Sequence, residues 1–153
     1  MNHEAVSALF FDEAYVVPAH QSAPRLFATL PHGREQVERM AHVMATAHLV
    51  AVAQSICLRE LGRYVDAARD SIVGTKVDCR HCAVVPPGAR IRLAGWVQQL
   101  AEREVTFWVF AQDDDEEVCK GAITFGIVPR DQLDRLILRK TQAIARRELC
   151  VPA

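Results

Sequence analysis

The sequence predicts an α+β domain in which an antiparallel sheet wraps around one central buried helix, with an extra helix at the C-terminus. Three observations carry this reading. Residues 43–61, VMATAHLVAVAQSICLREL, contain no Pro or Gly and are apolar on nearly every side, which marks a buried helix. After residue 70 the texture becomes β-like, with β-branched and aromatic runs broken by Pro-, Gly- or Asp-rich turns. After Pro129 a charged helical pattern returns.

The elements follow in order. Ala14 to Val17 is a short β-like run ended by Pro18. Gln21 to Gly33, with Pro24, Pro31 and Gly33, reads as a loop. Arg34 to Arg39 is charged and is a candidate helix start. The buried helix runs to about Leu61, with Gly62 near its end, and Tyr64 to Asp70 is open to helical continuation. Ser71 to Val85 reads as a strand closed by Pro86-Pro87-Gly88. Ile91, Leu93, Gly95 and Val97 alternate with Arg90, Arg92, Ala94 and Trp96, a half-buried strand pattern. Glu104 to Ala111 contains the β-prone VTFWVF, Asp113 to Glu117 is a turn, and Val118 to Val128 is a further strand. Pro129 opens a helix from about Arg130 to Glu148, Pro being favoured in a first turn. No repeat or linker divides the chain. The expectation is a single domain over 1–153, with a core from about 13 to 128 and a C-terminal helix from about 130 to 148. A buried helix followed by a meander of strands is the arrangement of the hotdog fold. One copy of such a sheet leaves an edge and a helix end poorly covered, so a homodimer or higher homo-oligomer is expected.

Composition narrows the function. The 153 residues carry 18 Lys and Arg against 19 Asp and Glu, a formal charge of −1, which gives no basic footprint for nucleic acid. MNHEAVSALFF has no basic region followed by an apolar run, so no signal peptide is read there. The apolar stretch from Val43 to Leu58 is interrupted by His48, Gln54 and Ser55 and falls short of the roughly 20 residues of a membrane helix. A soluble, cytoplasmic protein without membrane association is expected. Five scattered cysteines, Cys57, Cys79, Cys82, Cys119 and Cys150, fit reduced thiols. Cys79 and Cys82 have CxxC spacing, which admits a redox or zinc site. No second ligand pair follows, and on a strand the two would face opposite sides. No metal or cofactor is expected.

Two blocks carry a specific resemblance. Ala45-Thr46-Ala47-His48-Leu49-Val50-Ala51-Val52-Ala53-Gln54-Ser55-Ile56-Cys57 resembles the central helix of the fluoroacetyl-CoA thioesterase family. Gly74-Thr75-Lys76-Val77-Asp78-Cys79-Arg80-His81, followed by Pro86-Pro87-Gly88, resembles the same family, and the likeness continues to Arg139-Lys140-Thr141. The resemblance implies a threonine, glutamate and histidine catalytic set. Thr46 and His81 match two members, and Gln54 stands where the glutamate belongs. It also implies an aromatic gate ahead of the helix, and the matching positions here are Val37 and Met40, so fluoroacetyl specificity is not expected. Val37, Met40, Gly74 and Thr75 are the expected substrate-binding positions, and coenzyme A enters as part of the substrate.

The chemistry can be weighed apart from the family. Thioester hydrolysis needs an activated water or nucleophile and donors for the developing oxyanion. His81 is the one strong base in the motif, since imidazole titrates near pH ~6.5. Gln54 can orient a water or carbonyl but cannot act as base or nucleophile. Thr46 near a helix start can add its hydroxyl to the open backbone amides there. Thr46 and Gln54 are separated by about 12 Å of helical rise and would not touch. Plain structural roles compete: Thr46 as a helix cap, Gln54 as a satisfied amide, His48 and His81 as packing residues, and Asp113 to Glu117 as a solvated turn. Arg135, Arg139, Lys140, Arg146 and Arg147 read as the wet face of the last helix, with a role on CoA phosphates as an alternative. Three functions emerge. The first is an acyl-CoA or acyl-carrier thioesterase for a small acyl group, with His81 as base. The second is a non-catalytic binder of the same thioester. The third, ranked below both, is a hydratase or dehydratase on the same scaffold, for which Asp78 and His81 point to opposite faces of a strand.

Overall fold

The computed structural model describes residues 2–31 and 34–148. Its five strands are β1 (Phe10–Val16), β2 (Asp70–His81), β3 (Arg90–Leu100), β4 (Glu104–Gln112) and β5 (Glu117–Pro129). They form one antiparallel sheet in the order β1-β3-β4-β5-β2. Four helices accompany it: α1 (His3–Ser7), α2 (Ala23–Phe27), α3 (Thr46–Gly62) and α4 (Arg130–Glu148). The architecture is α+β and is that of the hotdog fold.

The sheet lays its inner face on α3. β4 alternates strictly, burying Val105, Phe107, Val109 and Ala111, and β5 adds Ile123, Phe125 and Ile127. Phe107 meets Phe125 edge-on, with ring centroids 6.0 Å apart at 84°, a favoured aromatic geometry. From α3 come Leu49, Val52, Ala53, Ile56, Cys57 and Leu61. Glu60 is buried on the same helix, with its carboxylate bound by Arg59 and Arg63. Those partners offset the desolvation of the charge.

Several expected boundaries move. The helix begins at Thr46 rather than Val43, because Met44 and Ala45 donate their amides outward to the carbonyls of Val85 and Gln21. It buries one face only: Ala47, Ala51, Ser55 and Leu58 lie on an exposed side. The stretch expected as loop folds into a 3-10 turn at Ala19–Gln21 and the short α2, started by Pro24 in its first turn. Arg34–Arg39 is a separate 3-10 turn. No helix continues through Tyr64 to Asp70, where the Asp66 carboxylate accepts from the Ala68 amide, a local turn that competes with helix. β2 ends at His81, so Cys82 to Val85 leave the sheet. Asp113 closes the β4–β5 turn by accepting from the amides of Asp115 and Glu116.

β2 is an edge strand, and Gly74 to Asp78 on it are all exposed. Its fit to β5 depends on Gly121, where a Cβ would lie 2.1 Å from the Asp78 carbonyl oxygen. α4 leaves the sheet at β5, held by Arg130 bonds to the carbonyls of Ala67 and Arg69. Arg135, Arg139, Lys140, Arg146 and Arg147 are exposed along it. No described helix is long and apolar enough to cross a membrane.

Candidate active site

Thr46 is the first residue of α3, and the preceding Ala45 is extended and supplies no side-chain cap. The first-turn amides therefore have no competing side-chain acceptor. The Thr46 hydroxyl is turned to the sheet, where its Oγ1 lies 3.0 Å from His81 Nδ1. The two residues are 35 positions apart, and it is the packing of α3 across the end of β2 that joins them. Thr46 thus does not cap the helix.

His81 is the last residue of β2, opposite Cys119 on β5. Its Nε2 is buried without a hydrogen-bond partner among the described residues. Burial pushes the imidazole pKa below its ordinary value, and the backbone of Ala83 offsets part of that. The ring is consequently neutral at pH 7, as a base must be.

Thr46 and His81 stand in the wall of a cavity of about 700 Å³. Leu26, Phe27, Leu30, Val43 and Val84 supply much of the remaining wall. Among the described residues no charged side chain lines it. A second cavity, of about 410 Å³, lies on the far side between β1 and α3, bounded by the charged Glu13 and Arg59. It holds no member of the Thr46, Gln54 and His81 set.

Gln54 is not in the first cavity's wall. Its Nε2 lies 3.0 Å from where a Cβ on Gly74 would stand, so glycine there lets the amide reach the edge strand. Thr75 sits at a β-bulge and donates to the Thr124 carbonyl at 3.2 Å. Val37 and Met40 are half-buried on and after the 3-10 turn, outside the cavity wall. The structure thus brings Thr46 and His81 together, sets Gln54 against Gly74, and ties Thr75 to β5. Leu26, Phe27 and Leu30 were hidden from sequence reasoning in a Pro-containing stretch read as loop.

Other polar candidates separate from this site. His48 Nδ1 lies 2.7 Å from the Gln21 carbonyl and ties α3 to the preceding turn. The CxxC cysteines do not converge. Cys79 Sγ faces the Ala122 carbonyl at 3.7 Å, whereas Cys82 lies outside near Glu117 at 3.4 Å. Burial pushes the Cys57 thiol up to about 12 and the Cys119 thiol also upward through its bond with Cys79, so neither is a ready nucleophile.

The family model described as fluoroacetyl-CoA-specific thioesterase matches residues 29–131. The chain belongs to that family. The match includes α3, all of β2 and the Thr46–His81 pair, and it leaves out α1, β1, α2 and most of α4. Among solved structures, the fluoroacetyl-CoA thioesterase FlK superposes with a TM-score of 0.77 at 21% identity, covering 87% of this chain and 95% of that one. A variant of FlK in complex with acetyl-CoA gives 0.78 at 21%, covering 88% and 98%. A Thermus thermophilus hypothetical protein described as a thioesterase superfamily member gives 0.77 at 17%, covering 92% and 96%. These structures establish the shared fold. No curated protein matches the chain in a sequence search.

Proposed function

We propose that this family member is an acyl-CoA thioesterase in which Thr46 and His81 form the reacting pair. The observation that carries the proposal is the 3.0 Å contact between Thr46 Oγ1 and His81 Nδ1 in the wall of an uncharged cavity. With its proton on Nε2, the neutral ring presents Nδ1 as acceptor. There it takes a proton from a water seated beside the Thr46 hydroxyl as that water attacks the thioester carbonyl. The Thr46 hydroxyl and the uncapped first-turn amides of α3 then steady the oxyanion. The CoA sulfur leaves as a thiolate and takes up the proton that His81 drew from the water.

Gln54 enters this reading through a second copy. The outer edge of β2 is unpaired. An antiparallel pairing of two copies centred between Val77 and Asp78 would set His81 opposite Gly74 of the partner subunit. The partner subunit's Gln54 would then be near enough to orient the water or the carbonyl. A homodimer is accordingly part of the proposal. Four free thiols among the described residues fit a reducing compartment, the cytoplasm. The substrate is an acyl-CoA, and no resident cofactor takes part in the steps above.

The test is hydrolysis of a panel of acyl-CoAs followed by release of free thiol. Turnover should fall at least ~100-fold in His81→Ala, the usual scale for losing a general base. Full activity in that variant rejects the mechanism. A second reading, a binder without turnover, is favoured by one observation, the amide at position 54 in place of a carboxylate. Under that reading the natural chain binds acyl-CoA without cleaving it, and Gln54→Glu alone gains turnover.

A further inference from the structure

The cavity beside Thr46 has a shape and lining that go beyond thioester cleavage in general. Its volume of about 700 Å³ lies well inside the range of about 300–1,000 Å³ for small-molecule pockets. An acetyl group would leave most of it empty. Its polar residues, Thr46, His81 and Cys82, come from the start of α3 and the end of β2, and the other lining residues are apolar. Phe27, Leu30 and Val84 are each exposed, Val84 at 69%, yet all three border this one opening. Single exposed apolar side chains need no explanation, but several gathered at the mouth of a cavity mark a binding surface.

We infer that the pocket takes an uncharged, medium-length aliphatic acyl chain, with the thioester carbon at Thr46 and His81 and the chain lying along Leu26, Phe27, Leu30 and Val84. This rests on the thioesterase reading for the position of the carbonyl, but not for the presence of the chain. Among the described residues the wall has no cation to receive a second carboxylate, and burying one without a partner is costly. Dicarboxylic acyl groups are therefore excluded. A short acyl group forgoes most of the apolar contact. A chain that outgrows the cavity extends into water and gains nothing more.

The experiment measures kcat/KM for acetyl-, hexanoyl-, octanoyl-, palmitoyl- and succinyl-CoA on the full chain. Each methylene that moves from water into the pocket raises the value by up to about fourfold. Octanoyl-CoA should thus exceed acetyl-CoA at least ~10-fold, with no further rise at palmitoyl-CoA and succinyl-CoA the poorest. Val84→Asp and Leu30→Asp, both at exposed positions that the fold tolerates, should each bring the octanoyl value down to within ~3-fold of the acetyl one. A flat profile, an optimum at acetyl-CoA, or good hydrolysis of succinyl-CoA overturns the inference while leaving a thioesterase standing. If no thioester is cleaved, the hydrolase reading fails and the pocket is judged by melting temperature. A larger rise with octanoyl-CoA than with acetyl-CoA or CoA supports the chain pocket, and equal rises overturn it.

Discussion

The two polar positions of α3 are built differently. At its start, Thr46 reaches across to His81 on another element, next to an open apolar cavity. About two turns later, Gln54 reaches the same strand at Gly74, where the groups are uncharged and the strand edge is bare. The first position joins a base and a hydroxyl within one chain. The second has neither, and it faces the side where another copy would come. Under the proposed mechanism one subunit carries the reacting pair, and position 54 acts through its placement rather than its acidity.

That contrast can be broken from either side. The largest effect is expected at the first position. Thr46→Val keeps the shape but removes the hydroxyl, and kcat should fall about 100-fold, the scale of losing one oxyanion donor. Its folding stability should move by less than ~1 kcal/mol, because the Thr46 hydroxyl is exposed and caps nothing. Steady-state kinetics and a thermal melt together check both halves. An intact kcat removes Thr46 from the mechanism.

A smaller effect is expected at the second position. Gly74→Ala puts a Cβ 3.0 Å from Gln54 Nε2, close enough to push a flexible amide aside. Turnover should drop about 3- to 10-fold without loss of fold, about half to one power of ten being ample for a displaced orienting group. Measuring Gln54→Ala alongside shows whether the two losses overlap. If they add in full, the glycine acts on something other than the amide.

The smallest effect concerns pH. His81 has a folded-state pKa below its unfolded value, because burial disfavours the charged ring. Its neutral form thus stabilises the fold above the unfolded value near pH ~6.5, and that contribution fades as pH falls toward the lowered folded value. Melting temperature should decline through this window, and His81→Gln should flatten the decline. An unchanged slope in the variant assigns the titration to another group.

Much of the fold was legible in the chain. Alternation exposed β3, a β-prone aromatic run exposed β4, a largely apolar stretch without Pro or Gly exposed α3, and the charged stretch after Pro129 exposed α4. The short helices were not legible. α1 and α2 have five residues each, too few for a periodic pattern, and their stability comes from packing. The helix was expected to be apolar on all sides because Ala and Leu look alike wherever they point, and only the sheet decides which face is covered. The pairing of Thr46 with His81 came from resemblance, since nothing local links residues so far apart. The cavity wall escaped notice because Leu26, Phe27 and Leu30 sit among prolines that read as loop.

The bare start of α3 has a consequence for anyone who engineers this protein. Ala45 is an evident target for thermostabilisation, since Ser or Asp at a helix entry commonly adds about 0.5–2 kcal/mol over Ala. The new oxygen would bind the first-turn amide of Ala47 or His48, beside the cavity wall. A robust variant selected by heat alone would then be a blunted one. Screens for durability should read out chemistry at the same time, because at this residue the two pull in opposite directions.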